Sequence, residues 1–127
     1  MPHLHVEYSP GLEPLMPDLC RALHGAMAAQ PIFPLAGIRV RAFRSDHAII
    51  ADAHPDNDFA ALTLSVGAER STAQLQDAGR ALFDAARDVL APRLAKPHLA
   101  LSLEIRVIDP ELGWKETPIH ARLSGQG

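Results

Sequence analysis

The sequence predicts an α+β fold in which two β-α-β units form one sheet and two helices cover one face of that sheet. Three observations carry this prediction. The order strand, helix, strand occurs twice along the 127 residues. The strand segments alternate apolar and polar side chains, and the segments between them repeat apolar residues at offsets of three and four. We expect a single domain spanning residues 1–127, because this length suits one domain.

The first β-α-β unit is predicted over residues 3–53. Residues 3–8 alternate, with Leu4, Val6 and Tyr8 on one side and three polar residues on the other. A helix follows from Pro14 or Pro17 to Ala29, and then a strand begins at residue 38. A short added strand is expected over residues 48–53, and residues 54–58 are rich enough in turn residues to form a loop.

The second unit is predicted over residues 59–108. Its helix begins with a capping box, Ser71 followed three residues later by Gln74, and ends before Pro92. The strand over residues 98–108 alternates without a break. Because the helices cover only one face of the sheet, the other face needs a cover, and the apolar alternation of this strand leads us to expect that subunit packing provides it. Residues 109–127 then form a C-terminal arm with a short strand or extended segment, whose Trp114 is also expected to contact a neighbouring subunit.

Composition excludes several classes of partner. The chain has 12 basic and 15 acidic residues, a net charge of −3 and 5% aromatic residues, which disfavours a nucleic-acid surface. No run approaches the ~20 apolar residues of a membrane span, and no targeting segment is recognised. Cys20 is the single cysteine, so disulfides are excluded and a cytoplasmic location is expected.

The second residue is a proline, and two interpretations of it stay open. Proline at this position allows removal of Met1 and begins an edge strand harmlessly. Alternatively, removal of Met1 leaves Pro2 with a free secondary amine, which burial and nearby guanidinium groups could turn into a neutral base near pH 7. Because Pro2 lies on the side of Leu4 and Val6, that amine would be partly desolvated.

Three arginines are candidates for binding a carboxylate substrate. Arg39 and Arg41 share one face of the predicted strand that begins at residue 38. Arg70 lies just before the second long helix, where backbone N–H groups also favour anions. The planar guanidinium group matches a carboxylate and stays charged at any relevant pH. The alternative is that these are ordinary solvated surface arginines.

Other chemistries find little support in the residues. His3 and His5 share a strand face, but no ligand spacing completes a metal site, so no metal is expected. The serines lack the G-x-S-x-G context of a nucleophile elbow, and neither a P-loop nor a dinucleotide-binding motif occurs.

Five segments together resemble the 5-carboxymethyl-2-hydroxymuconate isomerase family of the tautomerase superfamily: MPHLHVE, IFPLAGIRVRAF, LSVGAERS, LALSLEI and WKETPIHARL. The resemblance covers nearly the whole chain. It implies a tautomerase-like homotrimer, active sites near subunit boundaries, no cofactor, and a role in bacterial breakdown of homoprotocatechuate by ketonisation of a dienol. Position by position, it implies that Pro2 is the catalytic base and that Arg39, Arg70 and, with less weight, Arg41 bind substrate.

One departure from the family pattern concerns the substrate site. The family has glycine-alanine-glycine-arginine where this chain has Gly67-Ala68-Glu69-Arg70, so the Glu69 carboxylate could pair with Arg70 and weaken anion binding. The alternatives to the implied activity are a phenylpyruvate-type or 4-oxalocrotonate-type tautomerase, a hydratase-like dehalogenase using the same proline, and a non-catalytic trimeric ligand-binding domain.

Overall fold

The computed structural model describes residues 1–126, with side chains for residues 1–124. The strands are β1 (His3–Tyr8), β2 (Arg39–Arg44), β3 (Asp58–Gly67) and β4 (Leu99–Ile108). The helices are α1 (Met16–Ala28), α2 (Thr72–Val89), and the short α3 (Ala91–Leu94) and α4 (Pro118–Ala121). Short 3₁₀ turns cover Pro10–Leu15, Leu35–Gly37 and Pro110–Leu112, and a wider helical turn covers Arg122–Gln126.

The four strands form one sheet in the order β2-β1-β3-β4. β1 pairs parallel with β2 and antiparallel with β3, and β3 pairs parallel with β4. Each parallel pair is therefore joined by a helical crossover, α1 or α2. This arrangement confirms the predicted fold class of two β-α-β units in one sheet.

The core lies between the sheet and the two long helices, which pack on the same face. Its fully buried side chains come from β1, α1, β3 and α2, namely Leu4, Val6, Leu19, Leu23, Met27, Leu62, Leu64, Val66 and Leu82. The predicted capping box at the start of α2 is confirmed, since the Ser71 hydroxyl accepts from the Gln74 N–H and the Gln74 side chain accepts from the Ser71 N–H. Pro92 does not itself end that helix but lies in the first turn of α3.

The short added strand predicted over residues 48–53 is wrong. Ala51 and Ala53 have φ angles of 53° and 65°, a left-handed backbone that cannot continue a strand. Asp52 accepts hydrogen bonds from the His54 N–H and the Asn57 amide. Local side-chain bonds to the turn therefore replace strand pairing, and Ile49, one of the apolar residues that suggested the strand, is 90% exposed.

The apolar side of β4 lies on the helix-covered face of the sheet, so this pattern does not indicate the expected subunit contact, which stays a prediction. That side, with Leu99, Leu101, Leu103 and Ile105, packs against the core beneath α2. A Cβ atom on Gly79 of α2 would lie only 3.1 Å from Ile105, so this glycine allows the close approach. The apolar alternation of β4 thus reports helix packing within the subunit.

No strand forms among the described residues of the C-terminal arm, whose last residue, 127, lies outside them, and its separation from the rest of the chain stays a prediction. Trp114 is 89% exposed, and Leu112 is also largely exposed. The opposite face of the sheet carries polar residues, including His5, Glu7 and Glu104.

Candidate active site

Pro2 lies at the amino end of β1, and its ring is fully buried. Its carbonyl oxygen accepts a hydrogen bond of 3.1 Å from the Arg39 N–H. On the other side the turn Leu35–Gly37 presses against the ring, since a Cβ atom on Gly37 would lie 3.0 Å from Pro2 Cδ. The local structure therefore fixes the position of Pro2, and Met1 extends from it toward the surface.

Met1 borders a pocket of about 330 Å³ at this edge of the sheet. The walls come from the first strand, the turn that follows β3, the end of β4 and the C-terminal arm, and include His3, Ala68, Glu69, Ile108, Pro110, Trp114 and Lys115. The amino terminus and the beginning of the C-terminal arm thus contribute to one pocket. With Met1 present, the Pro2 nitrogen is an amide and cannot act as a base.

The amino terminus sits in a positively charged, partly desolvated place. Partial burial lowers the pKa of the Met1 amine, and the positive charges of Lys115, Arg70 and Arg39 lower that pKa further, against an opposing effect of Glu69. Both influences favour the neutral amine. The pocket can therefore hold an uncharged amine beside groups that attract anions.

Arg70 is held firmly where the sequence predicts it, just ahead of α2. Its side chain is only 8% exposed. Its Nε donates to the Ile32 carbonyl at 3.0 Å, and the guanidinium group lies 5.3 Å from the centre of the Phe33 ring. These contacts fix the direction of the guanidinium group and leave N–H donors for a ligand.

Glu69 forms the ion pair with Arg70 that the sequence suggests. Arg70 Nη1 donates to Glu69 Oε1 at 2.8 Å, and the Glu69 side chain is 67% exposed. A backbone hydrogen bond, with Arg70, the amino terminus and Lys115 nearby, lowers the pKa of Glu69. Its carboxylate therefore stays charged and can compete with an incoming carboxylate.

The two arginines of β2 have different surroundings. Arg39 Nη1 donates to the carbonyls of Ala36 and Ile38 at 2.8 and 3.1 Å, which keeps this guanidinium group close to the turn that contacts Pro2. Arg41 instead bonds His3 Nδ1 at 3.1 Å and borders a cavity on the polar face of the sheet. Arg39 and Arg70 thus lie close enough to the amino terminus to lower the pKa of its amine, although neither lines the Met1 pocket, and Arg41 borders the polar face of the sheet.

Lys115 is a site residue that the sequence reasoning missed. It lines the pocket on the C-terminal arm, and it is the charge with the largest effect on the Met1 amine. No periodic pattern marks it, because neither a strand nor a long helix forms among the residues of the arm that the structure describes. The available signals were its position next to Trp114 and its place in WKETPIHARL, one of the segments that carry the family resemblance.

His3 lies near both Arg39 and Arg41 and borders both the Met1 pocket and the cavity on the polar sheet face. Burial lowers the pKa of His3, and the charges of Arg41, Arg39 and the amino terminus lower it further. The imidazole is therefore neutral near pH 7. A neutral His3 adds no further positive charge to the pocket that it borders.

The chain matches the family model described as CHMI: 5-carboxymethyl-2-hydroxymuconate isomerase over residues 2–123. A curated 5-carboxymethyl-2-hydroxymuconate Delta-isomerase from Escherichia coli is 38% identical over 123 residues, which cover 95% of this chain and 98% of the relative. The chain belongs to the 5-carboxymethyl-2-hydroxymuconate isomerase family. It is accordingly an isomerase.

Solved structures agree with this family assignment. A crystal structure of a 5-carboxymethyl-2-hydroxymuconate isomerase from Deinococcus radiodurans R1 superposes with a TM-score of 0.90 at 41% identity, covering 96% of this chain and 93% of the other. A structure described as a fused 4-OT wild type symmetric trimer shares the fold, with a TM-score of 0.66 at 14% identity over 90% of this chain and 93% of the other. This isomerase family member therefore has the tautomerase fold. Separately, no helix among residues 1–126 is long and apolar enough to cross a membrane.

Proposed function

We propose that this isomerase uses Pro2 as its catalytic base after Met1 has been removed. The observation that carries the proposal is the position of the amino terminus, where burial and three cationic side chains lower the pKa of the Met1 amine. Removal of Met1 moves the terminal nitrogen inward by about 3.8 Å, the spacing of one residue. The Pro2 nitrogen would then be more buried, which acts in the same direction on its pKa.

The reaction we infer is ketonisation of a dienol di- or tricarboxylate such as 5-carboxymethyl-2-hydroxymuconate. Neutral Pro2 takes the enol proton, or a carbon-bound proton in the reverse direction, and returns a proton at a distant carbon of the conjugated chain. Because the buried ring holds the nitrogen in place, one group can act first as base and then as acid. The corresponding role is in the breakdown of homoprotocatechuate, which we place in the cytoplasm.

Cationic groups on three elements would bind the carboxylates and stabilise charge on the dienolate. Arg70 and Arg39 are already oriented by backbone carbonyls, so little order has to be created on binding. Lys115 lines the Met1 pocket from the arm and adds a third cation near the amino terminus. Arg41 would reach a substrate only if a neighbouring subunit completed a site on the polar sheet face, and we give it that lesser role.

We further propose that the chain forms a homotrimer. The polar face of the sheet is uncovered in the single subunit, and the arm exposes Trp114 and Leu112. A protein with the same fold is described as a symmetric trimer. Sedimentation equilibrium tests this proposal directly: a mass three times 13.7 kDa is expected, and a stable monomer at assay concentration would contradict it.

The decisive experiment compares two forms of one sequence that differ only in Met1. Protein processed by methionine aminopeptidase and protein that retains Met1 are separated, identified by intact mass, and assayed for ketonisation of 5-carboxymethyl-2-hydroxymuconate. We expect activity only in the processed form. Equal activity of the two forms would refute the role of Pro2, because an amide nitrogen is no base.

Two further arms of the same experiment address the alternatives. Processed Pro2→Ala should lose at least 100-fold in kcat, the scale of a general base, whereas Pro31→Ala, in an exposed turn, serves as the matched control. Phenylpyruvate and 2-hydroxymuconate enols are assayed beside the tricarboxylate. A higher kcat/KM for either simpler enol would reassign the substrate, and no turnover of any enol would favour a ligand-binding domain.

A further inference from the structure

Three metal-ligating side chains meet at the end of the sheet opposite to Pro2. His54 and Asp56 lie in the turn before β3, and His98 lies directly before β4. One donor atom of each lies within 4.8 Å of the other two. The ten residues of β3 separate this cluster from the Met1 pocket by about 30 Å, so it is independent of the proposed catalytic site.

The tautomer of His98 is fixed by its neighbour Asn57. The Asn57 amide group donates to the Ile50 carbonyl at 3.0 Å and to Asp52 Oδ1 at 2.7 Å, which orients the side chain. Its oxygen therefore faces His98 Nδ1 at 2.9 Å. An amide oxygen can only accept, so Nδ1 carries the proton and Nε2 keeps its lone pair. Metal-binding histidines are commonly held in this way by a partner of the other ring nitrogen.

His54 needs one small change before it can bind a metal. Its Nδ1 accepts a hydrogen bond of 3.1 Å from the Asp56 N–H, and its ring lies 4.3 Å from that of His98, centroid to centroid. Coordination through either nitrogen of His54 would release this single exposed hydrogen bond. Because the side chains of His54 and Asp56 are exposed, they can rotate without disturbing the core.

We propose that His54, Asp56 and His98 bind one divalent transition-metal ion of the zinc type, with water as the fourth ligand. Tetrahedral zinc with bonds of about 2.0 to 2.1 Å places its donor atoms about 3.3 Å apart, so donors now within 4.8 Å must close by about 1.5 Å at most. Two imidazoles among three ligands favour zinc over magnesium or calcium. The bound ion would tie the turn before β3 to the start of β4.

The test is titration of the intact, metal-free protein with ZnCl₂ by isothermal calorimetry, together with the visible absorption of added Co²⁺ and the imidazole proton resonances of the histidines. We expect one equivalent bound, with resonances of His54 and His98 shifted. His54→Ala and His98→Ala should each weaken binding at least tenfold. His24→Ala, an exposed histidine on α1, should leave the affinity unchanged, and MgCl₂ should not bind.

Two outcomes would overturn the proposal. One is the absence of saturable Zn²⁺ binding in the unsubstituted protein. The other is unchanged binding in both His54→Ala and His98→Ala with circular dichroism like that of the parent, which would place the ion at other histidines such as His3 and His5. Because neither substituted side chain is in the core, loss of folding is not expected to obscure the result.

Discussion

Gly37→Ala is the sharpest perturbation of the proposed base that leaves every charged group in place. The new Cβ atom would lie 3.0 Å from Pro2 Cδ, whereas ordinary contact begins at 3.4 Å. Either the Pro2 ring or the backbone at residue 37 must therefore move by about 0.4 Å, because these are the two groups in direct contact. A misplacement of 1 Å can reduce catalysis about 100-fold, so a proportional effect of 0.4 Å is about sixfold in kcat.

The matched control is Gly25→Ala. A Cβ atom at Gly25 of α1 meets no heavy atom within 4 Å, so this variant should keep the parent kcat and gain about 0.5 to 1 kcal/mol of unfolding free energy. Gly37→Ala should lose up to about 2 kcal/mol through overpacking. The assay is dienol ketonisation by protein whose Met1 removal is verified by intact mass, with urea unfolding in parallel. A kcat within twofold of the parent for processed Gly37→Ala would refute the reasoning.

Three further predictions follow from the ion pairs and pKa shifts. Glu69→Gln should lower KM several-fold with little change in kcat, because it frees Arg70 for the substrate carboxylate; an unchanged KM in steady-state kinetics would show that the pair does not compete. Asp58→Asn should lower the unfolding free energy by about 2 kcal/mol in a urea titration, because it breaks the mostly buried ion pair of 2.6 Å between Asp58 and Arg93 of α3. The control is Asp18→Asn, which removes an exposed ion pair and should cost less than about 0.5 kcal/mol in the same titration. The lowered pKa of His3 means that the unfolded chain binds more protons below about pH 6.5, so stability falls as the pH drops through that window, and His3→Gln should flatten the fall. Parallel stability-versus-pH curves for parent and variant would contradict this assignment.

Local patterns predicted most of the fold. The alternation of residues 3–8 became β1 with the expected side buried, and the capping box formed at Ser71. These signals depend on residues within a few positions of one another, where periodicity and hydrogen-bond chemistry decide. The added strand over 48–53 was wrong because local hydrogen bonds also decide here: the Asp52 side chain accepts from the His54 N–H and the Asn57 amide, which stabilises a turn instead of a strand.

Features that depend on distant residues were predicted less well. The apolar alternation of β4 suggests subunit packing, because sequence alone does not show that α2 lies over its apolar side. Arg39 and Arg41 share one strand face as predicted. Only the structure shows that Arg39 bonds the turn that contacts Pro2, whereas Arg41 bonds His3. His98 had no local signal, and Lys115 had none from periodicity, because their significance comes from residues far away in the chain.

The meeting of the amino terminus and the C-terminal arm at the Met1 pocket has a practical consequence for anyone who prepares this protein. A purification tag fused ahead of Met1 would keep the Pro2 nitrogen acylated, however well the rest of the molecule folds. A cut that removes the arm from residue 109 onward would take Lys115 away from the amino terminus. The tag should therefore be placed after residue 127, and the expression host should have enough methionine aminopeptidase to remove Met1. Under these conditions the measured turnover is that of protein with a free Pro2 amine.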